Sequence, residues 1–382
     1  MLDAVDELAL HQQRAVDRVA VAGILCTLFV AASFVALDPL QTVARPGGDA
    51  SVPQPTGSAA ATASEDRPPF ARLSLPSPTW SLVTDGQSVA YVRLARGEPS
   101  EIVVRSLSSE DWRTAYQAPE GSYVGQLSLA DGLLAFEEVA SGPGAPSRIT
   151  VRALRVHTGD RVTLDSYAPL GPGLGESGGQ ASASPLTDGR RVLWVRQSAL
   201  PSGSSGDEIR MLDLASGERR TVFESATGIS GLVLWRDALA FTLLSTNAPA
   251  RSLVLDLASG EIRAIDGFAY SQVRSAVPGG VILTGSESAS GVAASWLVGT
   301  DGTRRRLGSD CLDVRMTERV LAMRCGTQLE IRDLATGTRL FQLAPTVGSL
   351  AVADRTVVWA DGGELTVYEL PALPETGGAV PY

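Results

Sequence analysis

Seven short apolar runs punctuate the chain: Val89–Val92 (VAYV), Leu133–Phe136 (LLAF), Val192–Val195 (VLWV), Leu239–Phe241 (LAF), Val281–Leu283 (VIL), Val320–Met323 (VLAM) and Val357–Trp359 (VVW). Near-continuous apolar runs of this length suit strands buried on both faces. Each follows a compact polar or glycine-bearing pair: Asp85-Gly86, Asp131-Gly132, Asp188-Gly189, Asp237-Ala238, Gly279-Gly280, Glu318-Arg319 and Asp354-Arg355. A second series runs in phase with the first. The hexapeptide DLASGE stands at Asp213–Glu218 and again at Asp256–Glu261, and DLATGT at Asp333–Thr338. Weaker copies carry Thr158-Gly159 and Asp301-Gly302, with Glu110-Asp111 a degenerate first member. Around the hexapeptide the flanks alternate, EIRML before and RRTVF after, so it reads as a turn between two strands, its glycine supplying the positive φ.

Units of about 40 residues, each with four strands, predict an all-β, seven-bladed β-propeller. One blade cannot bury both of its faces, and closing a ring against its neighbours solves that. The last unit supplies only three strands, SLAVA, TVVWA and LTVYEL. The fourth is expected from FARLSL at Phe70–Leu75, a clasp that joins the chain's two ends and removes exposed edges. A β-sandwich with a second all-β domain fits the spacing less well.

The strand–Asp-Leu-x-Ser/Thr-Gly-Glu–strand unit resembles the TolB-like and related WD40-like bacterial propellers over about residues 70–370. That resemblance implies the fold and a binding platform, since those propellers serve mainly as such. The Gly-His and Trp-Asp signatures of true WD40 repeats are missing. So is the Ser-x-Asp-x-Gly-x-Thr-Trp box of sialidase-type propellers.

In a four-stranded blade the first and third turns share one face, which puts both turn series together. Opposite them fall the long loops, Ala140–Ser147, Tyr167–Ala183, Gln197–Asp207, Ser245–Ala250 and Gly285–Val292. Binding residues concentrate on such loops, and the candidates there are Glu176, Asp207, Glu208 and Glu287. An ordinary solvated loop acid is the competing reading of each. The six tryptophans, Trp80, Trp112, Trp194, Trp235, Trp296 and Trp359, are expected to pack between blades.

Ahead of the propeller, Val19–Leu37 is free of charge for nineteen residues, the length of a membrane-crossing helix. Arg14 and Arg18 precede it and Arg45 is the next cation, which orients residues 1–18 to the cytoplasm. A cleaved signal peptide is the alternative; the acidic leader and the absence of a small-residue cleavage pattern argue against it. Residues 38–69 are rich in Pro, Gly, Ala and Ser and read as a flexible tether, residues 70–371 as the propeller, and 372–382 as a disordered tail. Leu373–Gly377, LPETG, resembles the sortase recognition motif but lacks the hydrophobic span and basic tail that motif works with. The expected address is therefore a single-pass membrane protein with an extracytoplasmic propeller.

Composition narrows the chemistry. Net charge is −10, which argues against nucleic acid as a partner. All the cations are arginine, so no lysine Schiff base can form. His11 and His157 are the only histidines and there are three cysteines, too few for a usual zinc site. No cofactor is called for, and the partner is expected to be an unknown protein or cell-envelope ligand. An enzyme using carboxylates alone, a hydrolase or lyase with acids such as Asp207 and Glu208 together with a loop acid, is the alternative. Cys311 and Cys325 bracket CLDVRMTERVLAMRC. If Thr317–Arg319 is a three-residue hairpin loop with Met316 opposite Val320, the two cysteines face each other at disulfide distance; two reduced thiols remain the other reading.

Overall fold

The computed structural model describes residues 70–370 apart from 76–78, 96–97, 141–147, 169–184, 200–204, 245–249, 266–271, 278–279, 286–293, 335–337, 344–347 and the single positions 110, 300, 310, 327 and 362. The chain enters through β1 (Phe70–Ser74). Blade 1 is β2 (Thr79–Thr84), β3 (Ser88–Ala95), β4 (Glu98–Ser106) and β5 (Arg113–Gln117); blade 2 is β6 (Ser122–Ala130), β7 (Leu133–Ala140), β8 (Arg148–Arg155) and β9 (Arg161–Tyr167). Blade 3 is β10 (Leu186–Thr187), β11 (Arg191–Ala199), β12 (Ser205–Asp213) and β13 (Arg219–Ser225); blade 4 is β14 (Gly228–Trp235), β15 (Ala238–Leu244), β16 (Arg251–Asp256) and β17 (Ile262–Ile265). Blade 5 is β18 (Gln272–Val277), β19 (Gly280–Gly285), β20 (Ala294–Gly299) and β21 (Arg304–Ser309); blade 6 is β22 (Cys311–Met316), β23 (Val320–Cys325), β24 (Gln328–Asp333) and β25 (Arg339–Leu343). Blade 7 is β26 (Ser349–Ala353), β27 (Thr356–Asp361) and β28 (Glu364–Glu369), with β1 paired to β28 as its fourth strand.

The clasp is therefore real, and its register has Phe70 opposite Tyr368 and Ser74 opposite Glu364. Trp112, just before the outer strand of blade 1, donates through Nε1 to the Ser74 carbonyl at 3.1 Å, tying the clasp to the neighbouring blade. Each apolar run is the second strand of its blade, with both faces covered. Leu133 and Ala135 pack with Val192 and Trp194 between blades 2 and 3, while Leu134 and Phe136 pack with Ile102 and Tyr116 between blades 1 and 2. Trp194 and Trp359 are fully enclosed, as interblade packing requires. Trp235 and Trp296 are only half-buried, capped by Arg236 and Arg306 at 4.9 and 5.7 Å.

The hexapeptide explains itself locally. Asp213 Oδ1 accepts the Ala215 and Ser216 N–H groups at 2.9 and 3.0 Å, and Gly217, at φ 73, donates to the Asp213 carbonyl at 2.8 Å. Asp256 repeats the pattern with Ala258 and Ser259 at 3.0 and 2.7 Å. The following Leu joins the two turn series: Leu214 N–H reaches the Arg190 carbonyl at 2.9 Å and Leu257 N–H the Asp237 carbonyl at 2.7 Å. Both series thus lie on one face. They also touch from blade to blade: Asp85 accepts Gly132 N–H at 2.8 Å, Arg191 reaches Asp237 at 2.6 Å, Arg236 reaches Glu318 at 2.7 Å and Thr317 reaches the Asp354 carbonyl at 2.7 Å.

Among the described residues no helix is long and apolar enough to cross a membrane, and Val19–Leu37 lies outside them. The tether 38–69 and the tail from residue 371 lie outside them as well.

Cys311 and Cys325 are joined by a disulfide, but by a different register from the one the sequence suggests. Met316 stands opposite Leu321, not Val320, with Thr317 N–H bonded to the Val320 carbonyl at 2.9 Å. The hairpin loop is one residue tighter than expected. An irregularity between Cys311 and Asp313 leaves Leu312 unpaired and absorbs the offset, so the cysteines meet after all.

Candidate functional site

Glu176 and Glu287 lie outside the described residues. Asp207 and Glu208 do not sit in a long loop: β11 runs on to Ala199 and β12 begins at Ser205, so both are strand residues. Neighbours in a strand project to opposite faces, and their partners confirm it. Asp207 turns toward blade 4, where Oδ2 accepts Ile229 N–H at 2.8 Å; burial pushes its carboxyl up and that hydrogen bond draws it back. Glu208 turns toward blade 2 and is buried at 6% exposure, held by Arg210 at 2.7 Å and by the Thr221 hydroxyl at 3.2 Å. The two carboxyls therefore project to opposite faces of β12 rather than toward one point.

Glu208 belongs to a polar seam between blades 2 and 3. Asp165 accepts the Trp194 indole N–H at 3.1 Å and lies 3.3 Å from Arg196 and 3.5 Å from Arg210. A parallel seam between blades 1 and 2 joins Tyr116 and Arg152 to Glu138, with Arg152 Nε 3.1 Å from the carboxylate. Glu138, Asp165 and Glu208 are each matched by arginine together with a hydroxyl or indole donor, as buried charge requires. In blades 4 and 5 the equivalent positions use hydroxyl pairs instead, Thr242–Ser252 at 3.3 Å and Thr284–Ser295 at 2.9 Å.

Glu137 stands apart. Alternation along β7 puts it on the blade 3 side with Leu133 and Ala135; it is 4% exposed and its Oε1 has no hydrogen-bond partner among the described residues. Burial raises its carboxyl from 4.5 to about 8. The Tyr167 hydroxyl, which donates to the Val195 carbonyl at 3.0 Å, is also pushed far up, by burial first and then by the charges of Glu137, Asp165 and Asp207.

At the axis, the innermost strands of blades 2 to 7 wall a cavity of ≈240 Å³. Leu186, Leu232 and Val352 supply apolar wall, Ser128, Thr187 and Ser275 hydroxyls, and Arg274 and Arg315 the charge. The walls are stitched together by their hydroxyls: Ser128 Oγ accepts Thr187 N–H at 3.1 Å, and Ser275 Oγ donates to the Met316 carbonyl at 3.1 Å. Bulges recur in these inner strands, between Thr79 and Leu82, Val124 and Leu127, Ser230 and Val233, Val273 and Ser275, and Cys311 and Asp313. The residue that bulges from β18 is Arg274. A bulge frees a side chain from the ladder's alternation and re-aims it. The sequence carries no signal for this beyond an arginine in an otherwise unremarkable inner strand, and loop-centred reasoning passes over it.

No family model matches this chain, and no curated protein matches it. Solved structures do. An oligogalacturonate lyase in complex with manganese superposes with a TM-score of 0.50 at 12% identity, covering 79% of this chain and 90% of that one. The acylaminoacyl peptidase of Pyrococcus horikoshii gives 0.51 at 12% identity, covering 75% of this chain and 51% of the peptidase. TolB from Acinetobacter baumannii is also among the matches, at 0.44 and 13% identity, covering 75% and 64%. The likeness is one of fold. A propeller by itself selects no chemistry. Among the described residues no three His, Cys, Asp or Glu side chains gather as a metal group.

Proposed function

We propose that this chain is a membrane-anchored binding and assembly module, with its N-terminus in the cytoplasm and its propeller outside. The observation that carries the reading is the clasp register. Phe70 lies opposite Tyr368, near the end of β28 that leads to the tight-turn face. A tether arriving there favours the tight-turn face toward the membrane and leaves the long-loop face, with Glu176 and Glu287, for a protein or cell-envelope ligand. The Cys311–Cys325 disulfide supports an oxidising exterior. The opposite turns of Asp207 and Glu208 weigh against a carboxylate-based glycan hydrolase or lactonase.

Two measurements test this. External protease added to spheroplasts should digest the propeller while residues 1–18 stay protected; a propeller protected until the cells are lysed refutes the topology. Affinity purification from solubilised membranes should retain a specific partner that is lost on deleting residues 286–292. Turnover of a glycan or lactone with no partner retained would contradict the module reading.

A further inference from the structure

We propose that the axial cavity is a binding site for a small oxyanion, a carboxylate or phosphate group, gripped by Arg274 with Arg315 beside it. Arg274 and Arg315 come from the inner strands of adjacent blades and line the same ≈240 Å³ space. Arg315 has a carboxylate within reach, Asp313 at 3.1 Å. Arg274 forms no ion pair among the described residues, although Asp313 lies near enough to act on its charge, and its Nε is buried without a hydrogen-bond partner. Arg315 is half exposed and paired with Asp313. The charge without a matched partner is therefore that of Arg274, partly removed from water, where an unpaired charge is costly and an anion restores the balance.

The arrangement is built rather than incidental. Elsewhere in the molecule half-buried arginines are spent on acids, as Arg152 is on Glu138, Arg196 on Asp165 and Arg210 on Glu208. At position 274 the bulge between Val273 and Ser275 takes the residue out of strand pairing. Burial, together with the charge on Arg315, draws the Arg274 guanidinium below its ordinary range, with Asp313 only partly offsetting this. A planar guanidinium with free donors matches the two oxygens of a carboxylate or phosphate. Ser128 and Thr187 line the cavity from blades 2 and 3, and Leu186 and Leu232 provide an apolar surface for a short organic stem.

The test is calorimetric titration of the full-length chain in neutral detergent and low-salt buffer. Separate arms use inorganic phosphate, sulfate, butyrate and succinate, with butylamine as the cationic control. Saturable heat is expected from at least one oxyanion and none from butylamine; which arm saturates, the phosphate or the carboxylate, identifies the source of the group. Arg274→Gln should weaken that binding about ten- to a hundredfold, the range for losing a charged hydrogen-bond donor. Arg274→Lys, which keeps the charge but not the fork, should fall between the two. In anion-free buffer Arg274→Gln should melt at or above the wild-type temperature, because it removes an uncompensated charge; a purely structural arginine would lower it. No saturable oxyanion binding by the wild type, or equal binding by Arg274→Gln, overturns the proposal. These outcomes do not depend on which side of the membrane the propeller occupies.

Discussion

Single residues in this molecule divide into those whose polarity is matched and those whose polarity is not. Asp213 and Asp256 are held below the usual carboxylate range chiefly by the Ser216 and Ser259 N–H groups, so the two DLASGE turns are firmest when ionised. Such turns stabilise the fold above the unfolded carboxylate range and lose that contribution as pH falls through the lowered folded value. Glu137 has the opposite sign. Its folded carboxyl titrates at about 8 against 4.5, so the proton it holds favours the fold fully below about 4.5, and that support drains away as pH rises through 8. Glu137→Gln keeps the shape without the charge. Chemical denaturation at pH 5, 7 and 9 should show the variant gaining on the wild type with rising pH, by on the order of 3 kcal/mol at the alkaline end. A constant difference across the series would contradict the burial argument. The turns of Asp213 and Asp256 were legible in the sequence as turns; the state of Glu137 was not, because Glu137 and Glu138 are adjacent acids of one strand and only the facing blade reveals which one is satisfied.

At the level of elements, the second strands and tight turns were readable because their requirements are local. An apolar run buried on both faces, an aspartate accepting two N–H groups and a glycine at positive φ each leave a fixed mark at a fixed spacing. The inner-strand bulges leave none. Gly231 shows why: at φ 63, a Cβ built there would stand 2.7 Å from the Val273 carbonyl oxygen of the next blade. The constraint comes from a residue about forty positions away, so the strand ISGLVLW does not announce it. Gly231→Ala should cost about 1–3 kcal/mol in thermal or denaturant unfolding. Gly217→Ala, equally strained at φ 73 but with open space around it, should cost less. Equal losses would mean that the close approach of blades 4 and 5 carries no weight. The cysteine hairpin teaches the same lesson. The facing of Cys311 and Cys325 was legible, but it is reached through a tighter loop and a compensating bulge at Leu312. Asp207 and Glu208 were misplaced because β11 and β12 extend through residues that looked like loop.

For the molecule as a whole, the repeat dictates a circle, and the circle dictates where chemistry can occur. Each outer strand carries at least one arginine: Arg72, Arg113, Arg161, Arg219, Arg263, Arg304 and Arg339. Charge on an edge strand discourages pairing with another chain, which suits a propeller that presents loops rather than edges. The tight-turn face is knit together by turn-to-turn contacts, the blade seams hold matched charge or hydroxyls with Glu137 as the exception, and the axis holds Arg274, which forms no ion pair among the described residues. The claim beneath all of this is that β1 closes the ring against β28. Ala71 and Val367 are register partners across that junction, at a spacing a disulfide can span. In a Cys26→Ser background, the double variant Ala71→Cys, Val367→Cys should form an intramolecular disulfide under mild oxidation, read by mass spectrometry as a crosslinked pair of peptides from the two ends of the propeller. Free thiols at both positions in the folded, oxidised protein, or a bond only between separate chains, would contradict the closed ring.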